Sequence, residues 1–430
     1  MTRAEPFVFL DDDPTGAQAV ADVPVVLRWE ERPLQRALSS GARSVHVLTN
    51  SRALTAQRAE TVVHDAARAV AAAAPDAPIL LRGDSTLRGH LLEEYRAVWR
   101  ARAQHGAPVL LLVPALPAAG RITRGGVHYL VRDGVPVALN ETEYARDGGF
   151  TYRSARLLEW ADERSAGVLA AARGVEVPLR VLRERGAESI VQAIDETARR
   201  GAPSVCAPDA ETIADLELIA TGLRQALDSG TTVTVRCAPA FAGVLAGTLA
   251  KADVAPPPVR DGALIVCGSY VENTTQQLDY LRRRRGLEPI ELDPRVLAGS
   301  ADAADDAARR AAEQARQALG RDRLALVATK RTRPPETRSL DAGLRIARHL
   351  AHVAAYVGEA ADVVIAKGGI TSAVTLEEGL GAAEARVVGP VMPGVALWRP
   401  QVERNMSYFV VPGNVGPPSL LADLLERIGI

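Results

Sequence analysis

The fold class is decided near the start of the chain, by the stretch Phe7-Val8-Phe9-Leu10-Asp11-Asp12-Asp13-Pro14-Thr15-Gly16. Its first four residues are too few for a helix and rich in β-forming side chains, which predicts a buried strand. Three carboxylates then follow at the carboxyl end of that strand, where open α/β sheets bind their ligands. Adjacent acids repel one another and resist burial, so packing alone does not explain them. A solvated acidic turn is the plain alternative.

The same kind of short apolar run recurs along the chain and alternates with helical stretches rich in Ala, Arg and Glu. This alternation predicts an α/β fold with mostly parallel sheets flanked by helices. The predicted strands are Phe7–Leu10, Val23–Leu27, Ser44–Thr49, Ile79–Arg82, Val109–Val113, Ser204–Ala207, Thr232–Arg236, Ala263–Cys267, Leu324–Ala328, Val363–Ala366, Arg386–Val388 and Tyr408–Val411. Predicted helices between them include Ala56–Ala74, Leu91–Gln104, Ala187–Arg200, Ala210–Leu227, Ala301–Leu319 and Leu340–Val357.

A chain of 430 residues is too long for one ordinary core and predicts more than one domain. The clearest boundary is the Pro-rich stretch 252–261, which cannot continue a helix. We therefore predict two α/β domains, residues 1–251 and residues 262–430, with the active site in the cleft between them. Residues 117–150 are rich in Gly and Arg, and we expect them to be mostly irregular and functional.

The composition is that of a globular protein and excludes several classes of function. A net charge of −1 gives no general attraction for nucleic acid or an anionic membrane. The three cysteines are far apart and odd in number, which argues for a reducing cytosol and against disulfides or a zinc site. There is no signal-peptide pattern and no apolar stretch of membrane-spanning length. We expect a cytoplasmic protein with small-molecule ligands and leave open whether it forms a homo-oligomer.

A second motif in the first half is Leu81-Arg82-Gly83-Asp84-Ser85-Thr86-Leu87-Arg88-Gly89-His90, between a predicted strand and a predicted helix. A helix N-cap would explain one of its hydroxyl or carboxyl side chains, but not the two flanking arginines. An arginine pair beside helix N-terminal amides suits a carboxylate ligand, and Arg52 ends a neighbouring strand at the same edge. We predict that Arg52, Arg82 and Arg88 bind an acid and that Asp84 is a candidate general base.

Three glycine turns follow predicted strands in the second half: Cys267-Gly268-Ser269, Lys367-Gly368-Gly369-Ile370-Thr371-Ser372 and Pro412-Gly413-Asn414-Val415-Gly416. Glycine lets a phosphate approach the backbone closely, and a following helix N-terminus favours anionic oxygen. Neither the G-x-x-x-x-G-K-[ST] loop nor the G-x-G-x-x-G fingerprint is present. Lys367 is one of only three lysines, which fits a retained phosphate ligand or chance survival in an Arg-rich chain. For Lys330 we favour chance survival.

Taken together, these motifs resemble the four-carbon acid sugar kinase family in order and spacing. The matching segments are Asp12-Asp13-Pro14-Thr15-Gly16-Ala17, Asp84-Ser85-Thr86-Leu87-Arg88-Gly89, Pro114-Ala115-Leu116-Pro117-Ala118-Ala119-Gly120-Arg121, Glu141-Thr142-Glu143-Tyr144-Ala145-Arg146-Asp147, and the three glycine turns. The likeness covers nearly the whole chain, and its most specific part begins at Asp84. The chain departs from the common family form at Pro14, where that form has Leu, and at Ile370, where it often has Glu. With these two residues the chain resembles a distinct branch of the family, and the resemblance does not assign the sugar acid that this branch uses.

The resemblance implies an N-terminal domain that holds a sugar acid such as threonate, erythronate or an oxo-tetronate, and a C-terminal domain that holds ATP. It also implies substrate contacts at Asp12, Arg52, Arg82, Gly83, Asp84 and Ser85, and ATP contacts at Ser269, Gly368, Gly369, Ile370, Thr371 and Gly413. From the residues themselves we add Asp13 and Arg88 on the acid side and Lys367 on the nucleotide side. Asp11 lies outside the matched motif, and we expect it to be solvated.

The predicted reaction is ATP-dependent phosphorylation of a hydroxyl of a small sugar acid, including a related five-carbon oxo acid. Asp12 and Asp84 are the candidates for base and hydroxyl orientation, and Mg²⁺ would bridge the phosphates of ATP. We predict no metal site made by protein side chains. The alternatives are a non-catalytic sugar-acid sensor and another two-domain α/β enzyme such as a dehydrogenase, although the dinucleotide fingerprint is missing.

Overall fold

The structure of the protein is a computed structural model that describes residues 5–102, 107–146 and 149–430, without the side chains of Ala17 and Gln18. Asp147 of the quoted family motif and the end of the predicted helix Leu91–Gln104 lie outside the described residues. The chain divides into two compact units. Unit 1 comprises residues 1–12 and 29–249, and unit 2 comprises residues 13–28 and 250–430.

Most of the strands follow the buried apolar runs of the sequence. They are β1 Phe7–Asp11, β2 Val23–Val26, β3 Ser44–Leu48, β4 Ile79–Arg82, β5 Val109–Val113, β6 Arg121–Arg124, β7 Val127–Arg132, β8 Val135–Ala138, β9 Val175–Val177, β10 Ser204–Pro208, β11 Val233–Cys237, β12 Ala263–Cys267, β13 Ile290–Leu292, β14 Leu324–Thr329, β15 Val363–Lys367, β16 Glu384–Met392, β17 Val395–Pro400 and β18 Ser407–Val411.

The helices are mostly amphipathic and bury their Ala, Leu and Val faces. They are α1 Glu31–Ser39, α2 Ala56–Ala73, α3 Leu91–Ala101, α4 Leu157–Arg164, α5 Leu179–Arg185, α6 Ala187–Arg199, α7 Ile213–Asp228, α8 Pro239–Ala246, α9 Glu272–Arg285, α10 Pro294–Ala298, α11 Ala301–Asp322, α12 Leu340–Val357, α13 Gly369–Val374 and α14 Leu420–Arg427.

Unit 1 contains a parallel sheet with the strand order β3-β1-β4-β11-β5-β10-β9. Its two main apolar cores lie between this sheet and the helices. A separate antiparallel sheet, β6-β7-β8, occupies residues 121–138. The expectation of a mostly irregular stretch at residues 117–150 was therefore wrong in part. Gly and charged residues at the hairpin turns obscured three short, half-exposed strands.

Unit 2 contains a mixed sheet with the order β13-β14-β12-β15-β18-β17-β16-β2. Strands β13, β14, β12, β15 and β18 are parallel, whereas β17, β16 and β2 add antiparallel pairs. The predicted α/β fold with mostly parallel sheets flanked by helices is confirmed.

The compact units divide the chain differently from the predicted domains. Residues 13–28 group with unit 2, because β2 pairs antiparallel with β16. The Pro-rich stretch 252–261 also belongs to unit 2, where Val259 packs into the apolar core and the Val254 amide donates to the carbonyl of Pro390. The chain thus passes from one unit to the other after Asp12, after Arg28 and after Leu249. None of the helices among the described residues is both long and apolar enough to cross a bilayer.

Candidate active site

The carboxyl ends of β1 and β4 bring three charged side chains of unit 1 together. Asp11 and Arg82 are register partners across the two strands, and Asp12 follows directly. The guanidinium of Arg82 donates from Nε to Asp11 Oδ1 at 3.1 Å and from Nη1 to Asp12 Oδ1 at 3.0 Å. All three side chains are buried. Arg82, predicted to contact the acid, therefore orients two carboxylates of the protein.

Asp11 is part of this network. His46 on β3 lies 3.0 Å from its Oδ2 atom, through Nδ1. Burial would raise the pKa of Asp11, but the charges and hydrogen bonds of Arg82 and His46 outweigh burial and lower it. The expectation that Asp11 is solvated was wrong, because the strand carries its side chain between Arg82 and His46.

Asp12 has the opposite electrostatic balance. Burial raises its pKa to about 6, against the charges of Arg52 and Arg82, with a contribution from Glu94 in the same direction as burial. Its Oδ2 atom is buried and has no hydrogen-bond partner among the described residues. Asp12 is thus a carboxylate with one anchored oxygen, one unbonded oxygen, and a pKa near the operating range of a general base.

Asp84, in the turn after β4, is held by arginines on both sides. Its Oδ2 accepts from Arg88 Nε at 2.7 Å and from the Thr86 hydroxyl, and its Oδ1 lies 3.5 Å from Arg52 Nη1. Burial would raise the pKa of Asp84, but Arg88, Arg52 and the hydrogen bonds outweigh it, so the pKa lies well below its usual range. Asp84 is therefore a permanently ionised anchor for two cations.

Two further charged residues, absent from the sequence prediction, complete this edge. Arg236 on β11 forms a buried ion pair with Glu94 on α3, and Glu94 also accepts from the Ser51 hydroxyl at 2.7 Å. The Arg236 guanidinium occupies the space beside Gly83, whose Cβ would lie 2.8 Å from Arg236 Cζ. Gly83 thus makes room for Arg236. An arginine inside an otherwise apolar strand was the available signal.

The antiparallel sheet of unit 1 supports the turn that carries Asp84. His128 on β7 lies 2.9 Å from the carbonyl of Ser85 through Nε2, and Tyr152 donates to the carbonyl of Thr86 at 3.0 Å. Burial lowers the pKa of His128 to about 4, so this imidazole is neutral at physiological pH. Ser85, predicted to bind the acid, is buried and contributes its carbonyl to this support.

The ring of Tyr144 lies close to two arginines of the quoted motifs, Arg88 and Arg121. Arg88 lies over the ring of Tyr144, with its Cζ atom 5.4 Å from the ring centroid, and Arg121 Cζ lies 6.0 Å from the same centroid. The Tyr144 ring can stabilise both cations through cation–π interactions. Arg121 therefore adds a further cation beside Arg88, and Tyr144 links the two.

In unit 2, the ends of β12, β15 and β18 are in register, and a glycine turn follows each. Thr274, near the start of α9, joins two of these turns: its hydroxyl donates to the Gly413 carbonyl at 2.8 Å and lies 3.0 Å from Ser269 Oγ. A Cβ at position 413 would lie 2.5 Å from Ser269 Oγ, and Gly368 has a φ of +110°. The structure thus brings Ser269, Gly368 and Gly413 together.

Asp13 lies against the middle turn of unit 2. A Cβ on Gly369 would lie 2.8 Å from Asp13 Cγ, and Asp13 Oδ1 accepts from the Thr15 amide at 2.7 Å. Asp13 was predicted on the acid side, whereas the structure places it beside the predicted nucleotide turn. Ile370 is half-buried and packs against the small apolar cluster that α12 and α13 share.

Thr371 and Lys367 flank the same turn. Thr371 is buried, and its hydroxyl lies where Gly268 would otherwise carry a Cβ. Lys367 is fully buried, and its ammonium group donates to the carbonyl of Pro412 at 2.6 Å. Burial lowers the pKa of Lys367 to about 8. The structure directs this side chain at the backbone of the Gly413 turn. Lys330 instead pairs with Asp293 at 3.1 Å.

Comparison with known proteins identifies the family of this chain. Residues 7–245 match the model of a sugar-binding N-terminal domain, and residues 264–421 match that of a nucleotide-binding C-terminal domain. A D-threonate kinase of Cupriavidus necator is 30% identical over 73% of this chain and 70% of its own length. The chain belongs to the four-carbon acid sugar kinase family.

A second member of the family, a D-threonate kinase of Salmonella typhimurium, is 28% identical over 98% of this chain and 96% of its own length. Among solved structures, a Salmonella typhimurium protein superimposes with a TM-score of 0.70 at 19% identity, covering 97% of this chain and 98% of the other. A Haemophilus influenzae protein gives 0.65 at 17%, covering 98% and 100%. These two show the shared fold. Family membership favours a sugar-acid kinase over the sensor and dehydrogenase alternatives.

Unit 1 has two cavities among its described residues, and none of the predicted site residues lines the larger one. It has a volume of about 750 Å³, is open to solvent, and is lined by residues such as Arg153, Arg156, Glu159 and Asp162. Its arginines are paired with glutamates. A small cavity beside Gly83, Asp84 and Arg236 adjoins the charged network instead.

Asp13 is the one residue beside the nucleotide turns discussed above whose side chain suits Mg²⁺. The described residues contain no group of three or more His, Cys, Asp or Glu side chains arranged to hold a metal. Mg²⁺ in kinases is commonly bound by one or two carboxylates together with phosphate oxygens, so the ion does not need such a cage. Asp13, beside the Gly368–Gly369 turn, is a carboxylate that fits this role.

Proposed function

We propose that this family member uses ATP to phosphorylate a hydroxyl of a four-carbon sugar acid, with D-threonate as the first candidate. Erythronate, oxo-tetronates and a related five-carbon oxo acid are the other candidates within this class. The observation that carries the proposal is Asp12, a buried carboxylate with a raised pKa and one unbonded oxygen among arginines. The curated relatives named D-threonate kinase support the choice of acid.

On the acid side, we assign three roles. Arg52 and Arg88 attract the carboxylate of the substrate, since guanidinium groups can bind a carboxylate through two parallel hydrogen bonds. Asp84 remains ionised, holds these arginines in place, and accepts hydrogen bonds from substrate hydroxyls. Asp12 accepts the proton of the attacking hydroxyl, while Arg82 fixes its other oxygen. The hydroxyl oxygen bonds to the γ-phosphorus, and ADP leaves.

On the nucleotide side, we assign ATP to the turns of Ser269, Gly368–Thr371 and Gly413. The absence of side chains at the three glycines gives phosphate oxygens access to backbone amides. Mg²⁺ would bind with the nucleotide and neutralise charge on its phosphates, with Asp13 as a candidate ligand. Lys367 does not contact ATP in this proposal. It holds the Pro412 carbonyl and thereby the conformation of the Gly413 turn.

The test is a coupled assay of ADP release over a panel of four- and five-carbon sugar acids, with ATP or GTP as donor. We expect turnover with ATP and at least one four-carbon acid, and loss of turnover when a chelator removes Mg²⁺. The Asp12→Asn protein is the matched control for background hydrolysis. Thermal stabilisation by an acid without release of ADP or GDP would show a sensor and contradict the proposal.

A further inference from the structure

A fourth strand of unit 2 ends at the same edge as the three glycine turns. Strand β14 pairs in register with β12, and it ends at Thr329, next to the end of β12 at Cys267. The residues after β14 include Arg331 and Arg333. The carboxyl ends of neighbouring parallel strands are where α/β sheets bind ligands, so these arginines lie at the proposed nucleotide edge.

Arg331 and Arg333 are separated in the sequence by the exposed Thr332, and both lie over the ring of Tyr270. Their Cζ atoms are 5.6 Å and 5.0 Å from the ring centroid of Tyr270. Tyr270 follows Ser269 directly, and all three side chains are half-buried. We refer to Tyr270, Arg331 and Arg333 as the Tyr270 cluster.

The Tyr270 cluster has positive charge without a balancing acid. Within residues 5–102, 107–146 and 149–430, neither arginine has a carboxylate oxygen within 4.0 Å, and Arg331 Nη1 is buried without a hydrogen-bond partner. Arg333 donates to the carbonyl of Thr337 at 2.8 Å. Burial lowers the pKa of Arg333, and the nearby charge of Arg338 acts in the same direction. An anion at the cluster would relieve this imbalance.

The cluster is joined to the glycine turns through the start of α9. Arg331 donates from Nε and Nη2 to the hydroxyl of Thr275, at 3.2 and 3.1 Å. The preceding residue, Thr274, bonds to Ser269 and to the Gly413 carbonyl. One helical turn therefore positions both the arginine and the proposed ATP contacts.

The residues proposed so far to contact ATP offer no positive charge to its phosphates. Ser269, Thr371 and the glycines offer amides and hydroxyls, and the ammonium group of Lys367 is buried against Pro412. We propose that Arg331, supported by Arg333, binds the phosphate groups of the nucleotide. This inference rests on the proposed use of ATP and adds a residue to it.

The experiment compares Arg331→Gln, Arg333→Gln and Arg331→Lys with the unmodified protein. Arg309→Gln is the matched control, since Arg309 also lies over a tyrosine ring, 4.3 Å from the centroid of Tyr356, but pairs with Asp305. Binding of ATP and of adenosine is measured by calorimetry, with steady-state kinetics alongside. Melting temperatures confirm that each variant is folded.

We expect Arg331→Gln to weaken ATP binding about 10- to 100-fold, since a charge-assisted hydrogen bond is lost, and to leave adenosine binding unchanged. Arg333→Gln should have a smaller effect, Arg331→Lys should recover part of the affinity, and Arg309→Gln should match the unmodified protein. An equal loss for adenosine would mean that the cluster binds the base and would overturn the proposal. Unchanged ATP binding in Arg331→Gln would overturn it as well. Failure of the unmodified protein to bind ATP would instead contradict the proposed function on which it rests.

Discussion

The two sheet edges of this kinase are organised by different means. At the edge of unit 1, buried acids and arginines neutralise one another, as in Asp11–Arg82–Asp12 and Glu94–Arg236. At the edge of unit 2, glycines, hydroxyls and carbonyls predominate, and Lys367 is bonded to a carbonyl. A charge network fixes side chains, whereas glycine turns fix the backbone. We therefore expect substitutions in unit 1 to act on chemistry and those in unit 2 to act on nucleotide affinity.

The largest expected effect is that of Asp12→Asn. The substitution keeps the shape and removes the proposed base, so turnover should fall about 10²- to 10⁴-fold. In the unmodified protein, kcat/KM should fall as the pH drops through about 6, because protonated Asp12 cannot accept a proton. The pH–rate profile of the variant should lack this limb. Asp22→Asn, at an exposed position paired with Arg386, is the control. Turnover within a few-fold of normal would rule out Asp12 as the base.

Asp84→Asn should follow, with turnover reduced about 100-fold and the KM for ATP changed less than threefold. The substitution removes the charge that pairs with Arg52 and that accepts a hydrogen bond from Arg88, and a hydrogen bond to a charged group contributes about 1.5–3 kcal/mol. Because the pKa of Asp84 is far below its usual range, the acidic limb of the pH profile should remain. Steady-state kinetics at several pH values give the answer. Unchanged turnover would remove Asp84 from the mechanism.

Lys367→Met should change how stability depends on pH. Between the folded pKa of about 8 and the unfolded value of 10.5, the unfolded chain holds one proton more than the folded protein. The free energy of unfolding therefore gains a contribution on the order of 2–3 kcal/mol as the pH rises across this range, and none below it. Denaturant unfolding of both proteins at pH 7.5 and about 10 isolates the difference. If the free energy of unfolding depends on pH in the same way in both proteins, burial does not lower the pKa of Lys367 and the prediction is wrong.

The smallest expected effect is that of Gly369→Ala, with the KM for ATP raised about tenfold, or about 1.4 kcal/mol. The added Cβ would lie 2.8 Å from Asp13 Cγ, so Asp13 or the turn must shift. The affinity for the sugar acid should change little. Gly320→Ala, on the exposed face of α11 with no atom near its Cβ, is the matched control. A larger effect on the acid than on ATP would assign this turn to the acid side.

The sequence predicted the fold where a short run of residues sufficed. Strands such as β1 and β15 were predicted because each is a continuous apolar run ending in a polar turn. The pairing of β2 with β16 was missed, because it joins residues more than 350 positions apart and no local pattern encodes it. The strands β6, β7 and β8 were missed because they are short and half-exposed.

For the candidate site, motif residues were predicted and isolated ones were not. Asp12, Arg52 and Asp84 were named from their motifs, and the structure brings Arg52 and Asp84 within 3.5 Å. Glu94 and Arg236 were missed because each is a single charged residue in an ordinary helix or strand. The contact of the Lys367 ammonium group with the Pro412 carbonyl depends on the pairing of β15 with β18, which the local sequence around Lys367 does not show.

The space beside Gly83 has an evolutionary consequence. The guanidinium of Arg236 fills it, so an alanine at position 83 requires this guanidinium to shift, and the shift disturbs its buried ion pair with Glu94. Positions 83, 94 and 236 should therefore covary among relatives, and an isolated change at any one of them should be rare. Any exchange of Glu94 or Arg236 would also alter the charges that act on Asp12, so a lineage that changed either residue would shift the pKa of that carboxyl in the same step.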